Sequence, residues 1–298
     1  MQLSQLNQIF SRGSTTYFTA SLFFTPKQRV AVSRLYAFVR VADDFVDQVV
    51  PDREGFCHFV LAWIDATRTP HRSSIRTADT PNHSMSQLSS ENQRVLTSFI
   101  ELSREYTVSV KLVKAFLLAM LIDLYKQEYR TLRETELYMY GSAEVIGLLM
   151  LDIFGITNPA ARRTARIQGR AMQYVNFLRD VAQDWQLNRV YLPRELRQPL
   201  GLQEFTAEIA RSQPQAFSKL MQQEVTRYLE WQEYARSGWH FLPFRARVAV
   251  ATAADMYDWT ARTIFEHPAL ILTQKIKPPK WRILLQGVLN ILKMKFYE

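Results

Sequence analysis

The sequence has one cysteine, nine glycines and no long unbroken apolar run in its 298 residues. A lone cysteine, Cys57, excludes an internal disulfide, and with no partner nearby for nucleophilic chemistry it reads as a buried, inert thiol. So few glycines argue against an all-β fold, whose tight turns need them, and against a Gly-rich phosphate loop. The longest apolar stretch, Val145 to Ile156, is interrupted by Asp152 and falls short of the ~18 residues a spanning helix needs. Met1 to Ile9 lacks both the basic start and the apolar segment of a secretory signal, so a cytoplasmic chain is expected, with contact at a membrane surface left open. The five histidines are scattered and none has zinc-ligand spacing.

What the sequence does have is an ordinary globular composition, 47% hydrophobic and 22% charged, on a chain long enough for a large core. Its basic excess, 37 − 28 = +9, favours an anionic partner without choosing among phosphate, a membrane surface and nucleic acid. The apolar pattern is helical nearly throughout. Thr25 can cap, Pro26 suits the first helical position and Gln28 completes a capping box, which predicts a helix from Thr25 to about Val49, stopped by Pro51. Further helices are predicted over about 52–66, 93–104, 108–129, 133–155, 158–185, 214–236, 244–265 and 279–295. The stretch 67–93, rich in Ser, Thr, Asn, Pro and Arg, reads as a polar surface loop. It could separate two domains. The acidic motifs on either side of it would have to meet in one cavity, so a single all-α domain over 1–298 is preferred.

Two acidic motifs carry the chemistry. Asp43 and Asp47 share a helix face with Arg40 and Tyr36 behind them, and Asp44 lies between. Three carboxylates in five residues repel one another, and a divalent cation offsets that well. A solvated acidic helix end is the plainer explanation, but the flanking Val41-Ala42 and Phe45-Val46 argue against full exposure. Asn176, Asp180 and Asp184 are again spaced by four, among apolar Tyr174, Val175, Phe177, Leu178 and Val181, with Arg179 adjacent and Arg189 shortly after. A salt-bridged core helix would explain one such motif; it does not readily explain two. Two facing motifs would cage a Mg²⁺–diphosphate cluster, with arginines binding phosphate oxygens. Loss of diphosphate leaves a carbocation, which needs an apolar cavity with π faces, and the chain has 18 Phe and 13 Tyr to supply such walls.

These residues resemble the squalene/phytoene synthase family. The similar stretches are Ser14-Thr15-Thr16-Tyr17 with Leu22-Phe23-Phe24, Leu35-Tyr36-Ala37-Phe38-Val39-Arg40-Val41-Ala42-Asp43-Asp44-Phe45-Val46-Asp47, Tyr138 to Gly147, and Gln173 to Asp184 followed by Asn188 to Pro193. They occur in the family's order from about Ser11 to Tyr257, more faintly to Lys277. The resemblance implies an all-α isoprenoid synthase bundle around a central cavity. It implies dependence on Mg²⁺, with Mn²⁺ as an alternative ion, and head-to-head (1-1′) joining of two prenyl diphosphates through a cyclopropyl intermediate. It assigns metal binding to Asp43, Asp47, Asn176, Asp180 and Asp184, and a catalytic place to the four aspartates and Tyr36. It assigns substrate contacts to Ser14, Thr15, Tyr17, Arg40, Tyr138, Gln173, Arg179, Arg189, Tyr191 and Tyr257, and the channel-lining helix to Ala143, Ile146 and Gly147. Asp123 matches an acidic family position. The chain departs from the pattern at Thr15, where many members have Lys, and at Gln183 and Gln186, where acidic residues are frequent.

Within the family the wording is closer to prokaryotic phytoene synthases, which join two geranylgeranyl diphosphates and need no NADPH. Ser21, Ser33 and Ala37 are small, which suits either a longer tail pocket or close helix packing. A thirty-carbon (squalene-type) synthase is the main alternative, and a membrane-associated assembly factor the non-enzymatic one. A terpene cyclase or head-to-tail prenyltransferase fits the arginine-rich second motif less well, and nucleic acid is not expected because the acidic motifs would repel it. From Lys275 to Lys295 the chain carries Lys275, Lys277, Lys280, Arg282, Lys293 and Lys295 and no acid. Leu284, Leu285, Val288, Leu292 and Phe296 share a face opposite Gln286, Asn290 and Lys293. That basic amphipathic helix reads either as a peripheral membrane element or as a last core helix with a solvated edge. Oligomeric state is left open.

Overall fold

The computed structural model describes residues 1, 3–68 and 83–296. Among these residues there is no strand beyond one isolated bridge, Glu128 with Val190. The helices are α1 (Leu3–Gly13), α2 (Thr15–Ala20), α3 (Pro26–Val46), α4 (Arg53–Arg68), α5 (His83–Ser86), α6 (Ser90–Glu105), α7 (Val110–Asp123) and α8 (Leu132–Met139). They continue with α9 (Val145–Phe154), α10 (Pro159–Arg179), α11 (Val181–Gln186), α12 (Arg194–Arg197), α13 (Ala207–Ser212), α14 (Pro214–Arg236), α15 (Phe244–Glu266) and α16 (Lys280–Phe296). Most of the polar loop expected at 67–93 falls outside the described residues. Of the part that is described, α4 runs on to Arg68 and α6 opens at Ser90, capped by Ser89.

The local signals act as expected. Thr25 accepts from the Gln28 amide at 3.2 Å while the Gln28 side chain accepts from the Thr25 amide at 3.1 Å, closing a capping box. Asn158 caps α10 through the amides of Ala160 and Ala161. Cys57 is not buried: Phe56 and Phe59 turn α4's apolar stripe inward, and the thiol faces outward. Three predicted helices are cut short or interrupted. The helix from 108 stops at Asp123, because the chain beyond runs out to pair with the segment after Asn188, Val190 donating to the Gln127 carbonyl at 2.8 Å. The helix from 133 contains a π turn at Tyr140–Glu144. The helix to Trp185 bends at Asp180, though the hydrogen bonds run through the bend, from Asp180 to Asn176 at 2.8 Å and from Asp184 to Asp180 at 2.9 Å.

Helix α10 is the axis of the bundle and packs on α9, α14 and α15, while α3 packs on α1, α6 and α7. Among the described residues Leu132–Phe154 is the one helical stretch long and apolar enough to cross a membrane; here it lies between α7 and α10 and forms an inner wall. Glu144, fully buried at its π turn, is held by Arg166 at 2.8 Å and Arg170 at 2.6 Å, both from α10. Two glycines let α9 and α10 interlock: a Cβ on Gly147 would lie 2.3 Å from the Ala165 carbonyl oxygen, and one on Gly169 2.3 Å from that of Ala143. Both obstacles are backbone and cannot swing aside. Gly169→Val is therefore expected to cost about 3 kcal/mol by overpacking, read as a lower midpoint in thermal or urea melts; an unchanged midpoint would show the crossing to be looser than this.

Candidate functional site

An apolar cavity of about 290 Å³ runs along α10 between α3, α9 and α15. On α10 its wall is one face, from Ala161 through Ala165, Gly169 and Gln173 to Asn176, a span of fifteen residues or about 22 Å. Ala143, Ile146 and Gly147 line it, as do Tyr17, Tyr36 and Ser21. Ser33 and Ala37 are fully buried away from it, so their small size serves packing.

Both acidic motifs stand at the Asn176 end, where helices finish. Asp47 is the C-cap of α3 and Asp180 that of α10. A helix C-terminus already carries partial negative charge, so carboxylates there are unfavourable unless cations meet them. Burial pushes the Asp43 carboxyl up, and the Asp47 and Asp123 charges add to this. Burial likewise pushes Asp184 up, with Asp180 and Asp47 adding. Asp47 acts on both, which puts the two motifs within electrostatic reach of each other. Arg189 ties them: its guanidinium donates to the Asp47 carboxylate and, at 2.7 Å, to the Val46 carbonyl. Asp180 is the exception. Burial alone would raise it, but Arg179 donates to it at 2.8 and 2.5 Å and Lys275 lies 3.0 Å away, so its carboxyl is held below the usual range.

The donor set suits a hard divalent ion. Asn176 lines the cavity mouth with its Oδ1 buried and without a hydrogen-bond partner. Among the described residues no three His, Cys, Asp or Glu side chains stand close enough to hold an ion unaided. Mg²⁺ typically takes only one or two carboxylates and completes its shell with water and substrate phosphate, so oxygens spread over two helix ends fit it.

The other expected residues divide. Gln173 lines the cavity. Tyr17 also does, with the Tyr257 ring 5.4 Å behind it, so Tyr257 is a buttress. Tyr36 stacks on Phe10 at 4.0 Å. The Ser14 hydroxyl caps α2 by accepting from the Tyr17 amide at 3.2 Å, and Thr15 is the first residue of that helix. Arg40 is paired with Asp43 at 3.1 Å and with the more exposed Asp44. Tyr138 and Tyr191 lie off the cavity and donate to Asp123, Tyr191 at 3.1 Å. Their rings stack at 5.4 Å, and Phe177 stacks on Tyr191 at 4.1 Å. One site residue escaped the sequence. Lys275, grouped there with the basic tail, reaches Asp180 and Gln183 instead, and nothing local to Lys275 signals a contact so far along the chain.

Burial pushes Asp123 up to about 7, against the pull of Arg189 and the two tyrosines. A carboxyl raised on folding holds its proton more tightly in the folded state. Stability is then lost as pH rises from about 4 to about 7. Asp123→Asn removes that slope. In metal-free protein the variant is expected to gain on the wild type across this window, by on the order of 4 kcal/mol, in melts taken at each pH. A difference that is flat with pH would reject the assignment.

Cavity, helix ends and carboxylate pairs together define an all-α fold of the isoprenoid synthase type. The comparisons agree on that class. The chain is similar to a dehydrosqualene synthase solved with a ligand, at TM-score 0.77 and 20% identity over 99% of this chain and 96% of that one. It is also similar to a squalene synthase from Alicyclobacillus acidocaldarius, at TM-score 0.71 and 18% identity over 88% and 92%. At such identities these likenesses show the fold. The chain belongs to the squalene/phytoene synthase family, whose model matches residues 10–282. Curated relatives include a phytoene synthase from Pseudescherichia vulneris, 27% identical over 86% of this chain and 80% of the relative. A 15-cis-phytoene synthase from Enterobacter agglomerans is 27% identical over 82% and 80%.

Proposed function

We propose that the protein joins two prenyl diphosphates head to head, most simply two geranylgeranyl diphosphates to phytoene, with release of diphosphate. The observation that carries this reading is the meeting of two acidic helix ends at the mouth of an apolar channel about 22 Å deep. The names of the curated relatives support the same reaction. Asp43, Asp47, Asn176, Asp180 and Asp184 would hold Mg²⁺, or Mn²⁺ in its place, and no NADPH is required. When bound, the metal supplies Lewis-acid stabilisation of the departing diphosphate.

The chain's own residues do the rest. Arg179 and Lys275 hold Asp180 ionised and leave cationic groups at the diphosphate's position. Arg189 locks the end of α3 to the segment after α11, so the two carboxylate groups keep their spacing. Tyr17 and Tyr36 present π faces at the channel mouth, where positive charge develops on the first prenyl carbon. The apolar walls keep water from capturing that cation. This reading treats the chain as one catalytic domain working in the cytoplasm at a membrane surface.

The test is a product assay of purified protein with Mg²⁺ and each prenyl diphosphate, with and without NADPH. Forty-carbon product from geranylgeranyl diphosphate without NADPH is expected. Turnover of farnesyl diphosphate alone, to a thirty-carbon product, would replace this reading with the squalene-type one.

A further inference from the structure

Helix α16 is mounted inside out. Its inward side is the polar one: Gln286 and Asn290 donate to Asp255 on α15 at 2.8 and 2.9 Å, and Asn290 is only 4% exposed. Gly287 sits so close to Phe23 that a Cβ there would lie 1.9 Å from the ring. Ile283 is the fully buried anchor. These contacts fix the helix's rotation, because turning it would strip Asp255 of its two α16 donors, both on Oδ2, and leave only Arg236 on Oδ1. The outward side is apolar instead. Trp281 is 64% exposed, and Leu284, Leu285, Val288, Leu289 and Leu292 are all between 40% and 51% exposed. That is the spacing of one continuous helical stripe. Leu22, whose chain neighbour Phe23 meets Gly287 of α16, is exposed as well.

The stripe is rimmed by exposed Lys277, Lys280, Lys293 and Lys295, with no acid between Lys275 and Lys295. A second copy docking by the same face would set lysines against lysines with no acid to pair them, an unfavourable self-complementary contact. An anionic lipid surface meets both halves of the pattern: headgroups for the lysines and acyl chains for the leucines and Trp281.

We infer that the outward face of α16, with Leu22, is a docking surface for an anionic bilayer. The elements it rests on, α2 with the turn Ser21–Phe23 and α15, are also cavity walls, through Ala20, Ser21, Phe24, Ala249 and Val250. Docking therefore brings the channel to within one helix layer of lipid. Delivery of a hydrocarbon product into that lipid rests on the reaction proposed above; the docking itself does not.

The experiment is vesicle co-sedimentation of the full chain. Vesicles of phosphatidylglycerol mixed with phosphatidylcholine are expected to bind it, and phosphatidylcholine alone to bind at least tenfold more weakly. The double variant Leu285→Asp/Val288→Asp is expected to lose binding by tenfold or more, with an unchanged melting temperature. It should also keep its turnover of detergent-dispersed substrate, so vesicle binding and catalysis report separately. Lys293→Gln and Lys295→Gln should each weaken binding to anionic vesicles about fivefold. Wild type that ignores anionic vesicles, or an aspartate variant that binds them unchanged, overturns the inference. So does a dimer in sedimentation velocity that the aspartate variant dissociates while vesicle binding is nil, since the face would then belong to a second copy.

Discussion

Asp184→Asn is expected to lower kcat by at least about a thousandfold while raising the melting temperature of the metal-free protein. The two effects share one cause. Asp184 is pushed up by burial and by Asp180 and Asp47, so its ionised form is a cost to the free fold. An amide of the same shape removes the cost, and with it the charge that would draw a divalent ion and its diphosphate into place. Asp180 predicts the opposite sign for stability. Its carboxylate is already paired with Arg179 and Lys275, so Asp180→Ala strands two cations and lowers the melting temperature, with turnover equally lost. Thermal melts with and without Mg²⁺ plus inorganic diphosphate complete the test: wild type should gain stability from the pair and Asp184→Asn should not. Near-normal turnover in either variant would reject the metal-holding role. Equal shifts in melting temperature would reject the difference in their electrostatics.

Much of this candidate site was legible in the sequence because the groups that compose it are local. Asp43 with Asp47, and Asn176 with Asp180 and Asp184, sit four apart, and four residues on a helix is one face whatever the tertiary context. Capping at Thr25 and Asn158 was legible for the same reason. The features that were not legible depend on distant parts of the chain. The helix from 108 stops at Asp123 because Gln127, just beyond it, pairs with Val190, more than sixty residues later. Ser33 and Ala37 are as small as Ser21, but only packing reveals that Ser21 alone of the three reaches the cavity. The periodicity of α16 located its apolar stripe correctly. It could not say which side faces the protein, because that is decided by Asp255 and Phe23. Composition grouped Lys275 with that tail, whereas its ammonium group lies in the acidic site.

The far end of the cavity gives the sharpest handle on chain length. Ala161 lies one helical ladder, about 22 Å, from Asn176. It lies in one apolar cluster with Val32, Phe154 and Leu242, so a chain whose diphosphate is held at the mouth meets the wall there with its last isoprene unit. Ala161→Phe fills that end with a ring. The five carbons by which a geranylgeranyl tail exceeds a farnesyl one are then the part excluded. Pocket discrimination runs at about 1–3 kcal/mol per excluded methylene, so forty-carbon product should fall by at least about tenfold. Turnover of farnesyl diphosphate, whose tail stops short of the substitution, should change far less. The expected readout is the ratio of thirty- to forty-carbon products in a mixed-substrate assay, taken beside a melt because the added volume can cost about 1–3 kcal/mol. A uniform drop for both substrates at an unchanged melting temperature would mean that the tail does not lie along α10. An unchanged ratio at full activity would mean that the channel ends elsewhere. A tenfold or larger change in the ratio, with activity on the shorter substrate kept, is the outcome that ties the depth of this cavity to the length of the product.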